Sequence, residues 1–133
     1  MHEKKIIKIP EYKVALESLS ELDRKKLWQQ GKVKDYHSEI TEIVRRYFEK
    51  RFSFLAMEMT SAEVLESLNE IEVTTDVHFL TNDFLTNADM VKFAKFVPMP
   101  TVNEEMMKQA YEIVNKTKQE EEIKVVTEVE NVG

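Results

Sequence analysis

The chain has 133 residues, 42% of them hydrophobic and 33% charged, and this length indicates a single domain. Only 2 Gly and 3 Pro are present, which disfavours a loop-rich β-sandwich or barrel and favours long helices. The net charge of −6 disfavours general nucleic-acid binding, and the lack of cysteine excludes disulfides and thiol chemistry. Because no apolar run could span a bilayer and no signal-peptide core opens the chain, we expect a soluble domain that is not exported.

Residues 1–10 form a basic lead-in that we expect to be flexible or extended. Its lysines stand among isoleucines, and Pro10 occupies a place where helices commonly begin. These lysines are either an ordinary solvated arm or a basic segment next to a membrane. They are Lys4, Lys5 and Lys8.

Two amphipathic helices are predicted next, the first from Glu11 and the second from between Val33 and Asp35. Gly31 has the place of a C-terminal capping glycine for the first helix, and Asp35 that of an N-cap for the second. Apolar residues recur in both at the spacing of one helix face. The first face comprises Tyr12, Ala15, Leu16, Leu19 and Leu22, and the second comprises Tyr36, Ile40, Ile43, Val44, Tyr47 and Phe48.

A capping box from Thr60 to Glu63 predicts the start of a third helix, with Met59 and Val64 at the spacing of a hydrophobic staple. A fourth helix is predicted from Asp76. Phe79 lies outside the apolar stripe of this helix, so we expect the helix to be buried on two sides.

We expect residues 87–89 to interrupt the fourth helix and a short helix to follow until Pro98. That short helix is predicted to turn four apolar side chains inward and two lysines outward. The inward set comprises Met90, Phe93, Ala94 and Val97, and the outward set comprises Lys92 and Lys95.

A second capping box, from Thr101 to Glu104, predicts the last helix, and an acidic tail follows it over residues 119–133. We expect this tail to be disordered, although its alternation of valine with polar residues leaves an added strand as an alternative. The prediction is therefore an all-α fold, a compact bundle of about five helices over residues 11–118. The inner face of the last helix comprises Val102, Met106, Ala110, Ile113 and Val114.

The sequence predicts no catalytic, cofactor-binding or metal site, and hence no enzyme. His2, His37 and His78 are isolated, and no HExxH motif includes them. His37 borders the apolar face of the second helix, so a structural or solvated role is expected. The carboxylates stand on polar faces or in caps, without the burial that shifts the pKa of catalytic groups.

Basic residues close the second helix, where they complement the helix dipole and pair with carboxylates one turn away. The alternative is a docking surface for an acidic partner, a phosphate or a membrane. Similarly, the methionines either fill the core or line an adaptable groove. The possible partner-docking surface comprises Arg45, Arg46, Lys50, Arg51, Lys92 and Lys95.

Three stretches of the sequence have a familiar pattern. In chain order they are ALESLSELDRKKLWQQGKVKDYHSEITEIVRRYFEKRF, LAMEMTSAEVLESL and FLTNADMVKFAKFVP. Together they resemble the cytoplasmic C-terminal region of bacterial aerotolerance (BatD-like) membrane proteins. The resemblance extends from Tyr12 to Lys118. The matching positions are Leu27, Trp28, Gly31, Tyr36, Arg45, Arg46, Tyr47, Glu58, Met59, Thr60, Glu63, Asp89, Lys92, Phe93 and Lys95.

This resemblance implies a location at the cytoplasmic face of the inner membrane. In such proteins an exported β-rich part and a transmembrane helix precede this region in the sequence. The resemblance implies partners similar to MoxR-type AAA+ ATPases and von Willebrand factor A-domain proteins, and it carries over no catalytic residue. Because this chain lacks the exported part and the transmembrane helix, it is either an excised domain or a stand-alone relative. The basic segment of residues 4–8 would fit the cytoplasmic side of a membrane span.

Two other classes of function remain open at this point. A helix-turn-helix-type nucleic-acid-binding domain is motivated by the basic end of the second helix and the short helix connections. It is opposed by the acidic total charge and by Glu58, Glu63 and Glu66 on the helix that would contact the DNA bases. An enzyme with an unrecognised carboxylate site is the third class.

Overall fold

The computed structural model describes residues 2–7, 9–119 and 125–130, and within that part the chain forms a bundle of five α-helices. Two 3₁₀ turns, Trp28–Gln30 and Ala56–Glu58, lie in the first two connections. The predicted all-α class is therefore confirmed for the bundle. The helices are α1 (Glu11–Arg24), α2 (Val33–Phe52), α3 (Ser61–Asn69), α4 (Thr75–Phe93) and α5 (Pro100–Thr117).

The two ends of the chain meet as an antiparallel pair of strands, β1 (His2–Ile7) and β2 (Val125–Glu130). The register places Lys4 opposite Glu128 and Ile6 opposite Val126. Strand β1 agrees with the extended alternative for the lead-in. Strand β2 corresponds to the alternative of an added strand in the tail, because alternation of valine with polar residues is typical of strands. The predictions for Lys8 and for residues 120–124 and 131–133 lie outside the described residues.

Helix α2 is the centre of the bundle, because it packs against α1, α4 and α5. Its predicted apolar face is buried, except that Ile43 is half-buried. Helix α3 packs on α4 and completes the core at one end. The largest fully buried side chains are Tyr36, Phe48, Phe84, Leu19, Leu22, Ile40, Leu68, Leu85, Met106, Ile113, Val44 and Val64.

The predicted interruption of the fourth helix is wrong, since α4 runs unbroken from Thr75 to Phe93. Its buried positions keep one helical phase through residues 87–89, with Phe84, Ala88 and Val91 all facing the core. Burial of Ala88 and Val91 outweighs the weak helix propensity of the neighbouring asparagine and aspartate. Phe79 is 66% exposed in that phase, so its side of the helix faces solvent and the predicted burial of the helix on two sides is wrong there.

The side chains after residue 89 face the opposite way from the prediction: Met90 and Phe93 follow the phase of α4, whereas Ala94 and Val97 lie in the link after the helix ends. Met90, Phe93, Ala94 and Val97 are exposed, whereas they are predicted inward. Lys92 and Lys95 are exposed, as predicted.

The predicted capping box at Thr60 is present. Its hydroxyl accepts from the Glu63 N–H at 3.2 Å, and the Glu63 carboxylate accepts from the Thr60 N–H at 3.1 Å. The second predicted box is absent, because α5 begins at Pro100 and Thr101 is already inside it. Proline fits the first helical position because its missing N–H would have no partner there.

Two further helix ends differ from the prediction. Helix α1 ends at Arg24, and the backbone turns at Lys26, whose φ is 52°. Gly31, with φ of 81°, ends the 3₁₀ turn that follows, in the left-handed region that glycine adopts without strain. Asp35 lies inside the first turn of α2 and does not cap it, since the helix begins two residues earlier at Val33.

Candidate interaction surface

Arg45, predicted as part of the partner-docking surface, is half-buried and joins three elements. Its Nη1 donates to the carbonyl oxygens of Ala56 at 3.0 Å and Met59 at 2.6 Å, and its Nη2 donates to Ser61 Oγ at 3.2 Å. Burial lowers the pKa of Arg45, and the negative charge of Asp89 on α4 opposes that effect. Arg45 therefore holds the 3₁₀ turn and the start of α3 against α2.

A cavity of about 560 Å³ lies beside this guanidinium, between α2, the 3₁₀ turn of residues 56–58 and the end of α4. We refer to it as the Arg45 cavity. Its lining combines apolar and charged side chains. The apolar ones are Met57, Met59, Ala88, Val91 and Phe93, and the charged ones are Lys34, Glu42, Arg45, Glu58, Asp89 and Lys92.

The end of α4 and the link to α5 expose a run of large apolar side chains. Phe93 is 73% exposed, Val97 78% and Met99 70%. Single exposed apolar residues are ordinary, whereas large apolar patches are typical of interaction sites, so this run is a candidate for one. The ammonium of Lys92 lies 5.1 Å from the centre of the Phe93 ring. We refer to this group as the 90–99 surface, which comprises Met90, Lys92, Phe93, Lys95, Phe96, Val97 and Met99.

The remaining residues of the predicted docking surface lie elsewhere. Arg46 and Lys50 line a different cavity of about 730 Å³ between α1 and α2, and Arg46 pairs with Glu42 at 2.6 Å. Arg51 donates from Nε to the Thr117 carbonyl at 2.6 Å, at the end of α5. The structure therefore brings Arg45 and Lys92 to one cavity and places Arg46, Lys50 and Arg51 outside it.

The comparisons with known proteins add no relative. Family models, curated proteins and solved structures give no match. Among the described helices, none is both long enough and apolar enough to cross a membrane. In the same part of the chain, no three His, Asp or Glu side chains are grouped so that they could hold a metal ion.

Sequence reasoning missed the role of Asn103, which ties the start of α5 to α2. Its side-chain oxygen accepts from His37 Nε2 at 2.7 Å, and its carbonyl accepts from the Tyr36 hydroxyl at 2.7 Å. His37 is a buried structural histidine, and its Nδ1 has no hydrogen-bond partner among the described protein atoms. Burial lowers the pKa of His37, and the hydrogen bond to Asn103 opposes this in part. A proton on Nδ1 would find no acceptor.

We expect the free energy of unfolding to fall as the pH drops below about 6.5, the ordinary pKa of histidine. Below this pH the unfolded chain binds a proton on His37 that the folded chain does not bind. The contribution of His37 to the free energy of unfolding is therefore complete above that pH and decreases below it. For one proton the slope is at most about 1.4 kcal/mol per pH unit. Urea titrations between about pH 7 and pH 5 measure it.

His37→Gln keeps an N–H donor for Asn103 and removes the titration, so it should remove this slope. His78→Gln makes the same change at the half-buried histidine of α4 and serves as the comparison variant, since Asn103 bonds His37. An unchanged slope in His37→Gln would contradict the assignment.

Proposed function

We propose that this chain is a non-catalytic protein-interaction domain. We propose further that it is the cytoplasmic part of a bacterial inner-membrane BatD-like protein, acting with a MoxR-type AAA+ ATPase and von Willebrand A-domain proteins. The observation that supports an interaction role is the 90–99 surface, where the fold leaves large apolar side chains outside. The resemblance supplies the candidate partners, and three of its matching positions, Lys92, Phe93 and Lys95, lie on this surface.

The test is a pull-down of the two candidate partner classes by the purified chain. Wild type should retain an ATPase or an A-domain protein, and the variant Lys92→Glu/Phe93→Ser/Lys95→Glu should lose at least about tenfold in affinity. The control Lys13→Glu/Lys108→Glu changes exposed lysines on α1 and α5 and should bind as wild type does. Capture of neither partner class by wild type would overturn the assignment of partners.

The nucleic-acid alternative has a weaker electrostatic basis. Glu58 is exposed on the 3₁₀ turn, Glu66 is exposed on α3, and the Glu63 carboxylate caps α3. The segment that would contact the DNA bases is therefore acidic. We expect no DNA complex in a gel-shift titration at low salt. A complex that weakens steeply as salt rises would favour this alternative.

A further inference from the structure

The 90–99 surface and the Arg45 cavity adjoin, because Phe93 and Lys92 belong to both. We propose that together they receive one amphipathic helix of a partner protein, with large apolar side chains on one face and carboxylates beside them. This inference rests on the proposed interaction function and names the chemistry of the partner.

The apolar part of the site fits side chains of the size of leucine or phenylalanine. A cavity of about 560 Å³ lies within the range of natural ligand pockets, about 300–1,000 Å³. Met57 and Phe93 are exposed, whereas Met59 and Val91 lie deeper. The flexible side chain of methionine adapts to partners of different shapes. This wall can therefore accommodate different apolar residues on the face of the partner helix.

The charges of the site favour an acidic partner. Glu42 pairs with Arg46, and Asp89 lies near the Arg45 guanidinium, so these charges are balanced. The lysines at the cavity, Lys34 and Lys92, form no ion pair among the described residues, and Glu58 is the remaining carboxylate. Lys95 on the adjoining 90–99 surface adds a third lysine, so the lysines of the site that form no ion pair among the described residues outnumber Glu58, although the chain carries −6. Complementary charge of this kind selects partners and speeds association.

The walls of the site are preformed and helical. The hydrogen bonds from Arg45 reach the 3₁₀ turn at Ala56, the residue after it at Met59 and the start of α3 at Ser61. The Glu49 carboxylate accepts from the Met57 N–H at 3.0 Å. A preformed wall lowers the entropy cost of binding. The described residues that line this wall belong to helices, a 3₁₀ turn and its flanks, and none of them to a strand, so a helix in a groove is the applicable mode of peptide recognition. A lipid surface would take up Phe93 and Phe96 and leave the cavity unfilled.

Two synthetic amphipathic helices test this inference, identical in their leucine face and flanked by glutamates in one and by lysines in the other. The glutamate peptide should bind at least about tenfold more tightly. With methyl-labelled methionine, its binding should shift the NMR signals of Met57, Met59, Met90 and Met99 and leave those of the core residues Met106 and Met107 unchanged. Lys34→Glu/Lys92→Glu should reduce the affinity about tenfold, and Lys13→Glu/Lys108→Glu should not.

Equal affinity for the two peptides, or shifts confined to other methionines, would overturn the inference. So would sedimentation with phosphatidylglycerol vesicles that depends on Phe93 and Phe96 in a chain that binds neither peptide, since that result identifies a membrane contact. If the ATPase or A-domain protein is captured but the glutamate peptide fails to bind, the proposed function stands and this inference fails. If the peptide binds and neither protein is captured, the partner assignment fails alone.

Discussion

Replacing Phe48 by alanine should lower the free energy of unfolding by about 3–5 kcal/mol. Phe48 is fully buried on the central helix α2, at 0% exposure. Its ring centre lies 6.0 Å from that of Tyr47, 5.7 Å from that of Phe52 and 6.2 Å from that of Phe54. Truncation would remove these contacts and leave a cavity that the surrounding helices can fill only in part. Urea unfolding followed by circular dichroism measures the loss.

Phe79→Ala is the matched control, because it makes the same chemical change at an exposed position of α4. Its cost should lie within about 0.5 kcal/mol, as for most surface substitutions. The sequence pattern predicts that the fourth helix is buried on two sides, with Phe79 on the second of them, so a loss comparable to that of Phe48→Ala would favour that prediction over the structure.

The features that local chemistry determines were predictable. The apolar face of α2 follows from periodicity over 20 residues, and the Thr60 capping box needs only neighbours within one turn. The 90–99 surface was not predictable, because it depends on the phase of α4 up to Phe93 and on the end of the helix there. That end leaves Phe96, Val97 and Met99 in the link to α5. Local propensity favoured a break at residues 87–89, and the packing of Ala88 and Val91 maintained the helix. Without that phase, Phe93 reads as a core residue.

The contacts of Arg45 and His37 could not be predicted from a sequence pattern. Two of the acceptors of Arg45 are backbone carbonyls, which every residue carries and no motif marks. His37 and Asn103 are 66 residues apart, and Asn103 stands in a segment that reads equally well as a capping box. Arg45 therefore looks like any other member of the basic helix end until the turn that it binds is folded against it.

Arg45→Met is expected to lower the free energy of unfolding by about 2–3 kcal/mol. Methionine keeps most of the apolar stem, so the loss reports the guanidinium hydrogen bonds rather than packing. Hydrogen bonds from a charged donor contribute about 1.5–3 kcal/mol each, and the half-buried position allows water to replace part of that. Arg46→Met is the control: its pair with Glu42 is exposed and contributes under about 1 kcal/mol.

The same substitution separates a supporting role for Arg45 from direct contact with a partner. In Arg45→Met the 3₁₀ turn of residues 56–58 loses its bond from Arg45 to Ala56, and Met59 directly after it loses the second, so the Met57 methyl signal should shift and broaden before any peptide is added. Binding of the glutamate peptide should weaken because the wall is no longer preformed. Arg45→Lys should recover little, since one ammonium cannot reproduce the fork that reaches Ala56, Met59 and Ser61 together. Unfolding free energies of Arg45→Met and Arg46→Met that agree would show that these bonds do not hold the turn.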